Sequence, residues 1–192
     1  MTKTQDTDPK DKIIDVALNL ADVQGWDTVT LYDVARDADM TLATLFEYVD
    51  DKNDILVLLG KKIDKRVLEV IGEPDSSVST RDQLFDILME RFEILNDYRA
   101  GVLAMVESFR YDPKQAVISS PYLCKSMSWM LEAAGIDTSG IMGAVKVAGL
   151  TGVYLKTLRV WRDDESTDMA KVMAALDKDL GRVEQVANTL GL

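Results

Sequence analysis

The sequence predicts an all-α protein. Apolar residues recur at spacings of three and four along most of the chain, which is typical of amphipathic helices. Few segments show the period of two that marks a half-buried strand, and β-branched residues do not cluster. With 192 residues, of which 47% are hydrophobic, the chain is long enough for a small helical domain joined to a larger one.

The scarcity of histidine and cysteine narrows the classes of function. The chain contains no histidine, which removes the usual general base and a common metal ligand. Its single cysteine, Cys124, excludes an intrachain disulfide and a cysteine-based zinc site. Neither a Gly-rich phosphate loop nor a nucleophile paired with histidine is present. We therefore predict a protein that is not an enzyme and that uses no cofactor and no metal.

The N-terminal residues are polar and acidic, unlike a signal peptide. The longest uncharged runs fall short of the roughly 18 apolar residues that a membrane span needs. We therefore expect a cytoplasmic protein without a membrane span.

Local signals divide the first 51 residues into three short helices. Asp8 is a suitable N-cap, Pro9 suits a first helical position, and Gly25 predicts the end of this helix. A second helix is expected to begin after Thr30, another N-cap residue. A brief turn over residues 39–41 then leads to the third helix.

The remaining chain predicts longer helices. Residues 52–71 form a connecting helix, and residues 72–80 (GEPDSSVST) form a linker rich in turn-forming residues. Helices then follow to the end of the chain, and the Ser-Pro pair at residues 120–121 predicts a break. We expect a domain boundary between residues 51 and 52, with domains 1–51 and 52–192.

A helix–turn–helix arrangement near the N-terminus carries a family resemblance. The segments are IIDVALNLADVQGW (13–26), TVTLYDVARDADM (28–40) and TLATLFEYVDDKNDIL (41–56). Together they resemble the N-terminal domain of TetR-type transcription regulators. The resemblance covers about a quarter of the chain. It implies a homodimer that places its third helices in the major groove of operator DNA, and a C-terminal domain that binds a small apolar effector.

The same resemblance implies roles for residues of the N-terminal region, residues 1–55, which we call the head. Thr30 opens the second helix, and phosphate contacts fall on positions matching Thr41, Phe46, Tyr48 and Lys52. Base-edge contacts fall on positions matching Leu42, Ala43, Thr44 and Glu47.

Two departures from the family pattern bear on DNA binding. Asp39 stands where a turn glycine is usual, and Phe46 stands where a tyrosine hydroxyl would reach phosphate. The charge of this region also argues against binding to DNA. Residues 1–55 contain five Lys or Arg and thirteen Asp or Glu, which gives them a net charge of −8 out of −11 for the whole chain. Phosphate neutralisation normally supplies much of the affinity for DNA.

A second resemblance supports an alternative function. The segment WRDDESTD (161–168), with Leu176-Asp177 and Arg182-Val183, is similar to the end of a ubiquinone-biosynthesis accessory family. Those proteins share the TetR fold, bind lipid or isoprenoid, and do not use the N-terminal motif on DNA. A third alternative is a protein–protein adaptor that uses the acidic head.

Methionine and aromatic side chains in the larger domain are candidates for lining an effector cavity, although the same helical spacing suits an ordinary core. Arg99, Arg110 and Lys125 are the cations that we consider for pairing with an acidic ligand. The candidate pocket residues are Phe85, Met89, Phe92, Met105, Phe109, Met127, Trp129, Met130 and Tyr154.

The last two helices predict a dimer interface in the form of an intersubunit four-helix bundle. Two glycines would let backbones approach closely, and the apolar stripe of the last helix continues for over twenty residues. Packing within one chain is the alternative explanation. The candidate interface residues are Gly149, Gly152, Leu155, Met169, Met173, Leu176, Leu180 and Val183.

Overall fold

The computed structural model describes residues 8–108 and 113–190, with side chains other than those of residues 113–120, 188 and 190. Every regular element in these ranges is helical, which confirms the predicted all-α class. The helices are α1 (Pro9–Gln24), α2 (Leu31–Asp37), α3 (Leu42–Phe46), α4 (Lys52–Ile71), α5 (Thr80–Asn96), α6 (Arg99–Ser108), α7 (Pro113–Ala133), α8 (Gly140–Arg162) and α9 (Ala170–Leu190), with a 3₁₀ turn at Trp26–Thr28.

The helix starts near the N-terminus lie where the capping residues predict them. The Asp8 carboxylate accepts a hydrogen bond from the backbone N–H of Lys10 at 2.9 Å, and Pro9 is the first residue of α1. Gly25 ends α1 with a φ of +82°, a conformation that glycine adopts without strain. Local chemistry therefore sets the bounds of α1.

The helices form two compact units, and the first comprises Met1–Lys62 and Asp97–Ser120. Its core contains the fully buried side chains of Ile13, Trp26 and Leu45. This unit extends beyond residue 51 into α4 and includes α6, whereas we expected a boundary between residues 51 and 52. The expected boundary coincides with the start of α4 at Lys52, whereas the division between residues 62 and 63 falls inside α4, which continues to Ile71.

Helix α6 lies unusually close to α1. A Cβ atom added to Gly101 would lie 2.7 Å from the backbone oxygen of Leu18, closer than real Cβ contacts. The absence of a side chain at Gly101 therefore permits this helix crossing.

The second unit comprises Ile63–Asn96 and Pro121–Leu192. Helix α9 packs against α8 and α5, and the core contains the fully buried side chains of Phe92, Met127 and Trp161. Buried apolar side chains at helical spacing thus fix the face that each helix presents inward.

The turn before α9 is organised by Asp164. Its carboxylate accepts hydrogen bonds from the hydroxyl and N–H of Ser166 and from the N–H groups of Lys171 and Val172. The Ser166 hydroxyl has the largest effect, and together these donors lower the pKa of Asp164 to about 2. An ionised carboxylate therefore caps α9.

The predicted break at residues 120–121 is wrong, since α7 continues through Pro121 to Ala133. A proline inside a helix removes one backbone hydrogen bond but need not end the helix when packing holds both sides. Met127 and Met130, fully buried in the second unit, anchor the part of α7 that follows the proline.

Candidate functional site

The turn between α2 and α3 brings the helix–turn–helix together. The N–H of Met40 donates to the carbonyl of Ala35 at 3.0 Å, and Asp39 has a φ of +51°. This left-handed conformation explains the usual glycine at this position, although aspartate tolerates it better than most residues. Asp39 also pairs with Lys12, with 3.2 Å between Nζ and Oδ2.

Two of the predicted DNA-binding threonines are helix caps. The Thr30 hydroxyl accepts the N–H of Asp33, whose carboxylate in turn accepts the hydroxyl and N–H of Thr30, which forms a complete capping box. The Thr41 hydroxyl accepts the N–H of Thr44 at 3.1 Å and lies 3.0 Å from the Thr44 hydroxyl. The fold therefore already uses these groups to hold α2 and α3.

Lys52 is also engaged inside the first unit. Its ammonium donates to the carbonyl of Trp26 at 2.6 Å and to that of Val29 at 2.7 Å. The same Nζ lies 4.7 Å from the centroid of the Trp26 ring, a cation–π arrangement. Burial lowers the pKa of Lys52, while the charge of Asp27 opposes that shift. The contacts tie the start of α4 to the segment before α2.

The outward face of α3 carries exposed side chains, two of which are large and apolar. Phe46 is 69% exposed and Leu42 is 50% exposed, which is unusual for large apolar side chains. Ala43, Thr44 and Glu47 are exposed too, whereas Tyr48 is half-buried. The positions expected to reach base edges are thus accessible.

Several described cations of the first unit are paired with carboxylates. Arg36 bonds Asp37 at 2.7 Å and Asp33 at 3.2 Å, and hydrogen bonding to Asp37 raises the pKa of Arg36. In the same unit, Lys62 lies 3.1 Å from Asp11. The positive charge that a polyanion would need is therefore already partly neutralised.

The structure separates the predicted pocket residues into several environments. Met105 belongs to the first unit, Trp129 is exposed, and Phe109 lies outside the described residues. Within the second unit, the ring of Tyr154 stacks on that of Phe92 with 5.1 Å between centroids. The remaining members of the second unit are half-buried or buried, namely Phe85, Met89, Met127 and Met130.

A buried cation that the sequence did not lead us to predict lies beside Tyr154. Arg91 on α5 is only 4% exposed, and its guanidinium bonds the carboxylate of Asp64 on α4 and lies 5.2 Å from the centroid of the Tyr154 ring. Burial opposes its charge, but Tyr154 and Asp64 outweigh burial and raise the pKa of Arg91. The Ser126 hydroxyl donates to Asp64 at 2.7 Å.

One donor of this cluster lacks an acceptor in the part of the chain that the structure describes. The Nε–H of Arg91 is buried and has no acceptor among the described residues. Leaving a buried donor unpaired costs about 1–3 kcal/mol, and more when the group is charged. An unpaired donor of this kind calls for an explanation.

An open groove of about 380 Å³ lies between α5 and α9. Phe85 and Met173 line it together with Ala170, Ala174, Asp168 and Asp177. Arg81 bonds Asp177 and lies 5.8 Å from the centroid of the Phe85 ring. Phe85 is the predicted pocket residue that lines this groove, so the groove does not unite the predicted set.

The predicted dimer residues divide by exposure. Leu155, Met173 and Val183 are exposed, as is Gly152, and Gly149 is half-buried. In contrast, the other three are buried within the chain: Met169, Leu176 and Leu180.

Helix α8 also meets the length and composition of a membrane span. Its most apolar window has a mean hydropathy of 1.2, and 33% of that window is buried inside the protein. The uncharged runs of the sequence did not indicate such a helix, because this window contains Lys146 and Lys156. Its exposed apolar residues include Ile141, which is 84% exposed.

Solved structures with the same architecture are TetR-family regulators. A TetR transcriptional regulator from Nitrosomonas europaea aligns over 92% of this chain and 98% of its own, with 21% identity and a TM-score of 0.70. One from Rhodococcus sp. RHA1 aligns over 90% and 95%, with 19% identity and a TM-score of 0.64. The Thermus thermophilus repressor FadR, in complex with lauroyl-CoA, aligns over 90% and 91%, with 17% identity and a TM-score of 0.52.

These likenesses confirm the predicted fold: the chain has the all-α architecture of the TetR family of transcriptional regulators. No protein-family model and no curated protein sequence matches the chain. Because the identities are low, structure and not sequence carries the likeness.

Proposed function

We propose that this protein is a dimeric transcription regulator that binds operator DNA through α3 and responds to a small apolar effector in its second unit. The accessible face of α3 carries this proposal. Thr41 caps α3 behind a tight turn, and Leu42 and Phe46 project outward instead of packing in the core. Exposed apolar side chains on a rigid, capped helix are suited to contact with base edges in the major groove.

The charges of the head shape the kind of DNA binding that we propose. Lys12, Arg36 and Lys52 are each held by groups of the protein itself. Few phosphates would therefore be neutralised, and binding would rely on apolar and hydroxyl contacts with bases. A shallow dependence of affinity on salt follows, because its slope scales with the number of phosphates contacted.

Dimerisation through α8 and α9 is supported by two glycines at which a side chain would meet none of the described residues. A Cβ atom at Gly149 or Gly152 would meet no other atom within 4 Å, so packing inside the subunit does not select glycine there. Ile141 and Leu155 on the same helix are exposed and apolar. A second copy of α8 would cover this face, which also accounts for the apolar composition of the helix.

The second unit supports an effector site through its buried aromatic and thioether side chains. Phe92 and Tyr154 stack, and methionine side chains adapt to apolar ligands of varied shape. FadR of the same fold holds lauroyl-CoA, which is consistent with an apolar ligand for this protein.

A mobility-shift assay with DNA from upstream of the protein's own gene, run over a salt series, tests DNA binding. We expect a shift at low salt and a shallow loss of affinity as salt increases. Replacing Glu47 by glutamine removes a negative charge that would lie beside the major groove of DNA, and should raise the affinity for DNA about two- to fivefold. Glu93→Gln on α5 is the matched control and should leave affinity unchanged. Lack of any shift at low salt for both wild type and Glu47→Gln would reject this function.

The alternative is a lipid- or isoprenoid-binding accessory protein of the same fold that has lost DNA binding. The internal pairing of Arg36 and the internal hydrogen bonds of Lys52 favour it, because these groups leave little positive charge for phosphate. Mass spectrometry of organic extracts from the purified protein distinguishes the candidates when combined with the mobility shift. A co-purified lipid together with no DNA shift would support the alternative.

A further inference from the structure

The ion pair of Arg91 and Asp64 joins four helices of the second unit. Asp64 belongs to α4 and Arg91 to α5, while Ser126 of α7 donates to Asp64 and the Tyr154 ring of α8 lies against the guanidinium. Both charged groups are largely removed from solvent, with side-chain exposures of 4% for Arg91 and 15% for Asp64.

Stability alone is a weak reason for this pair. Buried ion pairs can often be replaced by apolar side chains without loss of stability, because desolvation offsets the attraction of the charges. In addition, the hydrogen-bonding groups of this pair are not all satisfied, since the Arg91 Nε–H has no acceptor among the described residues. The cluster therefore retains one charged hydrogen-bond donor, the Arg91 Nε–H, without an acceptor among the described residues and in apolar surroundings.

The hydrogen-bonding chemistry of the Arg91 Nε–H determines which class of ligand it favours. A guanidinium Nε–H favours an anionic oxygen, and a carboxylate can also bridge Nε and a neighbouring terminal nitrogen in a bidentate bond. The ring of Tyr154 lies beside the Arg91 guanidinium and stacks on Phe92, and Met127 and Met130 are fully buried in the same unit. These side chains suit an alkyl chain and not a second charge.

We propose that Arg91 is the recognition group for a carboxylate-bearing amphiphile, which binds the free Nε–H and competes with Asp64 for the guanidinium. This inference rests on the proposed effector function of the second unit and specifies the chemical class of the effector. Because Asp64 already satisfies part of Arg91, ligand affinity is set by the difference between the two carboxylates. Weakening Asp64 therefore strengthens ligand binding.

Three probes with the same ten-carbon chain length test the charge selectivity of the DNA-free protein by isothermal titration: decanoate, decanol and decyltrimethylammonium, each below its aggregation concentration. We expect decanoate to bind at least about tenfold more tightly than either of the others, because only it forms a charge-assisted hydrogen bond with Arg91. Equal affinity for decanoate and decanol would overturn the proposal.

Variants test the competition. Asp64→Asn should bind decanoate more tightly than wild type, by about tenfold, and should gain more thermal stability from it. The double variant Arg91→Met with Asp64→Leu leaves an uncharged core and should bind decanoate no better than decanol. Arg81→Gln removes a paired arginine elsewhere on α5 and should behave as wild type.

These measurements separate failure of this inference from failure of the proposed function. If the double variant still prefers decanoate to decanol, a group other than Arg91 recognises the carboxylate, whatever the outcome of the mobility-shift assay. Decanoate binding that depends on Arg91, in a protein that gives no DNA shift, would retain this inference and support the accessory-protein alternative. Weaker decanoate binding by a folded Asp64→Asn would contradict the competition.

Discussion

Ion pairs at the surface of the first unit and an ion pair buried in the second show two ways of holding a positive charge. In the first unit, Arg36 and Lys12 pair with carboxylates at the surface, where ion pairs contribute little to stability. In the second unit, Arg91 is buried against Asp64, where loss of one partner is costly. The surface pairs thus mainly limit what the head can attract, whereas the buried pair constrains the core and what can enter it.

The largest effect is expected from breaking the buried pair on one side. Arg91→Met leaves Asp64 without its cation, and we expect the free energy of unfolding to fall by about 3–5 kcal/mol, measured by urea denaturation. The double variant with Asp64→Leu should recover most of this loss. Equal destabilisation of the single and double variants would show that packing, and not charge, is responsible.

Lys52 provides an intermediate case, since backbone carbonyls and not a carboxylate hold its charge. Lys52→Met removes the hydrogen bonds to Trp26 and Val29, and should lower the free energy of unfolding by about 1–3 kcal/mol. The exposed Lys61, replaced in the same way on the same helix, is the control and should have little effect. If both variants are equally stable, Lys52 is free to contact phosphate.

Asp164 is the anionic counterpart, held by backbone N–H groups. Because its pKa is lowered to about 2, its contribution to stability is complete above about pH 4 and is lost as the pH falls towards 2. In urea denaturation across this range, the stability difference between wild type and Asp164→Asn should shrink with decreasing pH. Glu165→Gln is the neighbouring control. A difference that stays constant with pH would exclude this account.

The smallest effect is expected at the turn of the head. Asp39→Gly relieves a left-handed conformation but loses the exposed pair with Lys12, so stability should increase by no more than about 1 kcal/mol. It also frees Lys12 and removes an acid, so DNA affinity in the mobility shift should increase. Lys12→Met loses the same pair without freeing a cation. If it raised affinity equally, charge would not explain the gain.

Local signals made much of the fold predictable. Asp8 and Thr30 cap helices as their positions indicate, and the turn before α3 lies where expected. These features depend on residues a few positions apart, which a sequence displays directly. The break expected at Pro121 was wrong: α7 continues through this residue, and Met127 and Met130 beyond it are buried among residues distant in the sequence.

The candidate sites were harder to predict because their contacts join distant residues. Lys52 meets a carbonyl 26 residues away, so its engagement cannot be inferred from the neighbouring sequence. Arg91 did leave a signal that we did not use. It occupies the same helical stripe as Leu84, Leu88 and Leu95, and a cation on an apolar stripe indicates burial with a partner.

The empty space beside Gly149 and Gly152 has a thermodynamic consequence. If a second protomer fills it, the exposed apolar face of α8, including Ile141, is wetted whenever the pair separates, and separation is then linked to unfolding. The melting temperature would then depend on the protein concentration. Dilution alone would then act on this chain as a denaturant.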